Sequence, residues 1–157
     1  MAESRITGLD GIEAMLRQLP SKVEQEAVVV KALRAGAKVI HDQAKANLIA
    51  HGSVDSGLLA NTLHVGRKAD QRQGEVVVSL KPSGKRTMVI RKGKSKPTPA
   101  RPSKYAHFVE NGTEHSAARP FMRPAVDEKG QKAVEAIRGT ALKGIADVAR
   151  RLGLKVG

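Results

Sequence analysis

The chain has 157 residues, no Cys, no Trp, one Tyr and two Phe, and a formal net charge of +13. This length suits a single domain over residues 1–157, and the lack of Cys excludes a disulfide framework or a thiolate-held zinc staple. No run of about 18 apolar residues crosses a membrane, and the acidic, polar N-terminus MAESRITGLDGIEAML does not resemble an export signal, so the chain reads as soluble and intracellular.

The first element opens at Asp10, with Glu13 three residues on at the spacing of a capping box, in which each side chain accepts a free backbone N–H. Ile12, Leu16 and Leu19 fall on one side of the short helix this predicts over 10–19, and Pro20 closes it. Ser21 is placed to cap the next helix, 21–50, where Val23, Ala27, Val30, Ala37, Ile40, Ala44 and Leu48 recur at helical spacing. Gly36 inside that helix costs about 1 kcal/mol relative to Ala, a cost that makes sense where another backbone packs close.

Asp55-Ser56-Gly57 reads as a turn or cap leading into Leu58 to Val65, which mixes strand alternation with a possible helical turn. EVVVSL, residues 75–80, is a β-branched strand, and the two segments are expected to pair as a hairpin.

Residues 81–104 form a basic arm. Lys81, Lys85, Arg86, Arg91, Lys92, Lys94, Lys96, Arg101 and Lys104 lie there without one acid, leaving only +4 for the rest of the chain. Four of the seven Pro and two Gly exclude regular helix or central strand over most of it, and only TMVIR, 87–91, offers a short strand. A long arm of this kind in a compact domain is functional or disordered, and a neighbouring chain is the simplest thing to order it. Solvation of the charges, contact with an acidic partner and contact with DNA phosphates are its candidate roles. Single-strand binding is disfavoured, because the tract has no aromatic stacking platforms.

YAHFVE, 105–110, reads as a strand with His107 and Val109 on one face and Phe108 and Glu110 on the other, followed by an Asn111-Gly112 turn. In Arg119-Pro120-Phe121-Met122-Arg123-Pro124 the two Pro hold the backbone extended and present Phe121 and Met122 on a stiff strut. Phe121 either plugs the chain's own core or anchors a contact. Pro124 suits the first turn of a final helix, in which Val126, Gly130, Val134, Ile137, Ala141, Ile145, Val148 and Leu152 step by fours and threes. The order of elements gives an α+β fold: a small antiparallel sheet packed against a long helix of the N-terminal half and a C-terminal helix, with the basic arm inserted between strands.

No catalytic, cofactor or metal site is marked. His107 and His115 stand eight apart across a turn signal, whereas a zincin helix places its two His four apart on one face. There is no Gly-x-Ser-x-Gly elbow and no phosphate-binding glycine loop. The chain therefore does not read as an enzyme, and no cofactor is expected.

The order GLDGIEAMLRQLP, KALRAGAKVIHDQAKANL, VDSGLLANTL, YAHFVENGT and ARPFMRPA before a terminal helix resembles the neck or tail-completion family of lambda-like siphophages, small proteins of the head-to-tail joining region. The resemblance implies a virion protein, assembled in the host cytoplasm, that forms a homo-oligomeric and commonly sixfold ring between the head connector or stopper protein and the tail tube protein, without catalysis. By position it assigns subunit contacts to Tyr105, His107, Phe108, Glu110, Arg119, Pro120, Phe121, Met122, Arg123 and Pro124, with Gly112 in the same motif. The basic arm departs from many relatives, and its role as a face toward DNA or an acidic partner is not part of what the resemblance implies. A small DNA-binding protein using the 81–104 arm is the alternative reading.

Overall fold

The computed structural model describes residues 10–52, 57–70, 75–90, 93 and 95–153. It is an α+β protein with helices α1 (Asp10–Arg17), α2 (Lys22–Ala50), α3 (Leu58–Thr62), α4 (Pro102–Asn111) and α5 (Met122–Leu152). Its strands are β1 (His64–Asp70), β2 (Glu75–Lys81), β3 (Thr87–Val89) and β4 (Thr98–Ala100). The strands form two separate two-stranded sheets, β1 with β2 and β3 with β4. Contacts divide the chain into two compact units, one of residues 1–38, 67–78 and 131–157 and the other of 39–66 and 79–130, so α2 and α5 contribute residues to both.

In the first unit, Ile12, Leu19, Val28, Ala32, Ala141 and Ile145 make a buried cluster, with Met15, Leu16, Ile137 and Val148 packed around it. Small residues let α2 and α5 approach closely here. A Cβ added at Gly36 would lie 2.9 Å from the Ala133 carbonyl oxygen and 2.5 Å from Ile137 Cγ1, and one added at Gly144 would lie 3.0 Å from Val28 Cγ1. The glycine inside α2 thus marks a close backbone approach. Ser21 caps α2 as expected: its Oγ accepts the Val23 N–H at 3.3 Å, and its carbonyl accepts the Gln25 N–H at 3.0 Å. Near the far end of this unit Arg151 pairs with Glu24. The Asp10 side chain of the expected capping box lies outside the described residues, while Glu13 pairs with Arg17 at 2.7 Å.

The buried faces of the long helices differ in part from the expected stripes. Val23 is 76% exposed, and α2 buries Val28 and Ala32 instead. Along α5 the buried line runs through Ala125, Ala133, Ala141, Ile145 and Ala149, whereas Val126 and Leu152 are exposed. The reason is the small side chains. Gly36, Gly144, Ala133 and Ala149 turn inward at the close contacts, so the buried line departs from the stripes at Val23, Ala27, Val126 and Leu152 while Val30, Ala44, Leu48, Ala141 and Ile145 stay on it.

In the second unit, Ala44, Leu48, Leu59, Ala60, Leu63, Phe121 and Ala125 form the core, with Ile40, Leu80, Tyr105, Ala106, Val109 and Met122 against it. The ambiguous segment 58–65 resolves into one short helix, α3, followed by the start of β1, so the strand that pairs with EVVVSL begins at His64. Ring nitrogen Nε2 of His41 lies 3.0 Å from the Leu63 carbonyl oxygen, where chain leaves α3 for β1.

The expected strand at 105–110 is a helix. Pro102 is fully buried in the first turn of α4, where its missing N–H costs nothing. Gly112, at φ 77, ends the helix with its N–H on the Phe108 carbonyl at 2.8 Å. Helical spacing then turns Tyr105, Ala106 and Val109 to the core together, which a strand could not do.

Among its described residues the arm pairs with itself as a short hairpin. Strand β3 pairs antiparallel with β4 in the register Thr87 with Ala100, Met88 with Pro99 and Val89 with Thr98. The hairpin is tethered at its base, where the Ser103 N–H donates to the Ser83 carbonyl at 3.1 Å and the Ser83 N–H to the Thr62 carbonyl at 3.2 Å.

Candidate subunit-contact surface

The segment that holds the Tyr and both Phe is a helix that doubles back on itself. After Gly112 the chain makes a tight turn closed by Thr113 and Ser116, whose N–H groups donate to each other's carbonyls at 2.8 and 3.2 Å. It then returns along the end of α4, where the Arg119 N–H donates to the Val109 carbonyl at 2.8 Å. Gly112 is required by this close return: an added Cβ would lie 2.7 Å from the Ala118 nitrogen. Its φ of 77 and ψ of 179 are a backbone conformation essentially reserved for Gly.

Glu110 locks the return to the start of α5. Its Oε2 accepts the N–H groups of Phe121 at 2.8 Å and Met122 at 3.0 Å, and its Oε1 accepts that of Arg123 at 3.1 Å. A helix N-terminus leaves four N–H groups without intrahelical partners. Here three donate to one carboxylate, and the fourth position is Pro124, which has no N–H. Burial raises the Glu110 pKa. The N–H groups of Met122, Phe121 and Arg123 and the Arg123 charge lower it by more, holding the carboxyl below its ordinary 4.5. Two amides complete the clamp: Asn47 Nδ2 donates to the Phe121 carbonyl at 3.1 Å, and Arg123 donates to Asn111 Oδ1 at 2.9 Å.

Phe121 is 3% exposed and sits in the chain's own core, so the strut does not present it to a partner. The reason is geometric: the Glu110 clamp and Asn47 pin the backbone on both sides of Phe121, whose side chain joins the buried cluster that includes Leu48 and Leu59. Tyr105 and Met122 pack on that cluster too, and Pro120 and Pro124 are half-buried. Glu110 is spent on the clamp. Of the expected contact residues, His107, Phe108, Arg119 and Arg123 remain exposed. Phe108 is 49% exposed with its ring against His107, centroids 3.8 Å apart. Phe108 and Arg119, with Tyr105 and Val109, line an open depression of about 280 Å³.

Of the arm cations, Lys81, Lys85, Arg86, Lys96, Arg101 and Lys104 are exposed, while Arg91, Lys92 and Lys94 lie outside the described residues. Among the described residues no three His, Asp or Glu gather as a metal site, and no helix is long and apolar enough to cross a membrane. The spacing of the motif gave no sign of Asn47 or Asn111, nor of the Glu110 cap, which reaches eleven residues forward.

The model of the family described as "Bacteriophage HK97-gp10, putative tail-component" matches residues 10–112, about two thirds of the chain. The chain belongs to the HK97 gp10-like family. That match runs from α1 to the turn at Gly112 and includes the whole arm, whereas the Arg119–Pro124 return and all of α5 lie beyond it. No curated protein and no solved structure matches the chain. Membership in the HK97 gp10-like family makes this a bacteriophage tail-related structural protein, which works in the virion alongside other virion proteins.

Proposed function

We propose that the chain is a ring subunit at the neck or tail end of a tailed phage, where it joins the DNA-filled head to the tail. The family match carries this reading. A second feature supports it: in a segment that turns most of its large side chains inward, Phe108 and Arg119 stay out beside an open depression. Aromatic and Arg side chains are the usual anchors of protein contacts. A ring needs one surface to meet a different surface of the next copy, closing by rotation. Residues His107, Phe108, Arg119 and Arg123 form one side of that contact, and the head connector or stopper and the tail tube are the axial neighbours. The subunit works by contact and turns over no substrate.

Electron microscopy of the purified protein tests the ring, since rings with a central hole are expected, alone or on a connector. Particles made without the protein should yield separate heads and tails; joined, infectious particles would refute the assignment.

The exposed arm cations keep DNA as a second reading. Nine phosphate contacts would give a log-log salt slope of about −8, so a gel-shift titration across salt concentrations separates it from general stickiness.

A further inference from the structure

We propose that the outer edge of β3 is a docking edge for an extended acidic strand of a partner protein, held by the Met88 backbone and by the cations that lead into β3. The pairing register carries the argument. Pro99 has no N–H, so Met88 and Pro99 cannot exchange hydrogen bonds, and they stand at the non-hydrogen-bonded position between the bonded pairs Thr87 with Ala100 and Val89 with Thr98. In that position the N–H and C=O of Met88 point away from β4, toward the outside of the hairpin. The sheet has two strands only, so among the described residues nothing pairs with that edge.

The two edges of the hairpin are not alike. The outer edge of β4 is blunted, because Pro97 and Pro99 remove two successive outward donors. The outer edge of β3 has no such guard. Exposed apolar side chains stand on this strand and just past it, Met88 at 59% and Ile90 at 64%. Lys85 and Arg86, both exposed, lead directly into β3. A free backbone edge with an apolar centre and a cationic approach fits an incoming strand whose alternate residues are apolar and acidic. Duplex DNA would use the cations and leave the edge donor and both apolar side chains without a role.

The proposal rests on the reading that this chain works by protein contact, but not on the ring. The probe is a blocked peptide of alternating Glu and Val, added to the full-length protein, with poly-Glu of equal charge and a short DNA duplex as comparisons. The expected result is tighter binding of the alternating peptide than of either comparison, slowed hydrogen exchange at the Met88 amide in the complex, and roughly tenfold weaker binding by Met88→Pro. Should Met88→Pro disturb the hairpin, the amide exchange of the unaltered protein still decides. Equal binding of poly-Glu, tighter binding of the duplex, or unchanged Met88 exchange with peptide bound overturns the proposal. Rings seen without Met88 protection sink the docking edge alone, and Met88 protection in a protein that forms no rings sinks the ring alone.

Discussion

The Phe121 N–H donates to Glu110 Oε2 at 2.8 Å, joining the last turn of one helix to the entry of the next. Because Met122 and Arg123 donate to the same carboxylate, this one side chain both caps α5 and aims the Phe121 ring into the core. The surface around Phe108 and Arg119, proposed above as a subunit contact, therefore rests on this clamp.

Glu110→Ala is expected to destabilise the protein by about 0.5–2 kcal/mol, the range for losing a helix cap, and Glu110→Gln by less, since one oxygen still accepts. The carboxyl pKa is lowered in the fold. Its stabilisation is therefore fully present above the ordinary value of 4.5 and is lost as the pH falls below that value through the lowered one. Urea denaturation of the native protein and Glu110→Gln, at neutral pH and then in steps below 4.5, should show the gap between them closing. A gap that stays constant would mean the carboxylate charge contributes nothing.

Two glycine substitutions in long helices should have opposite signs. Gly36→Ala gains about 1 kcal/mol of helix propensity, but its Cβ would lie 2.9 Å from a backbone carbonyl that cannot swing aside. Overpacking of this kind costs about 1–3 kcal/mol, so a net loss is expected. Gly139→Ala meets nothing within 4 Å and should stabilise by up to about 1 kcal/mol. Thermal melts of the pair measure both.

Phe121→Ala removes a buried ring and should cost about 3–5 kcal/mol. Phe108→Ala, at 49% exposure, should leave the melting temperature almost unchanged and weaken self-association instead. Analytical ultracentrifugation beside the melts would expose an error in either assignment, for example if Phe108→Ala unfolded the protein and assembled normally.

At Gly112 the demand is conformational. Any L-residue there is strained by about 1–3 kcal/mol, and its Cβ would also press on the Ala118 nitrogen at 2.7 Å. Gly112→Ala should lower stability and speed proteolysis in the 112–119 return, which limited digestion by a Glu-specific protease at Glu114 would report.

The α+β class, the two long helices, the Ser21 cap, the EVVVSL strand and Pro124 in the first turn of α5 could all be read locally, because each depends on neighbours within a turn or two. The same was true of Gly36, whose propensity cost already pointed to a close helix. Other features answer to distant partners. Whether YAHFVE alternates as a strand or winds as a helix was settled by Pro102 behind it, Gly112 ahead of it and the core that takes Tyr105 and Val109 on one face. Whether Phe121 points in or out was settled by a carboxylate eleven residues away and an amide from α2. Such choices turn on which surface a side chain meets once the chain has folded. Spacing along a sequence records the period of a helix or strand, but not the direction in which its large residues find room.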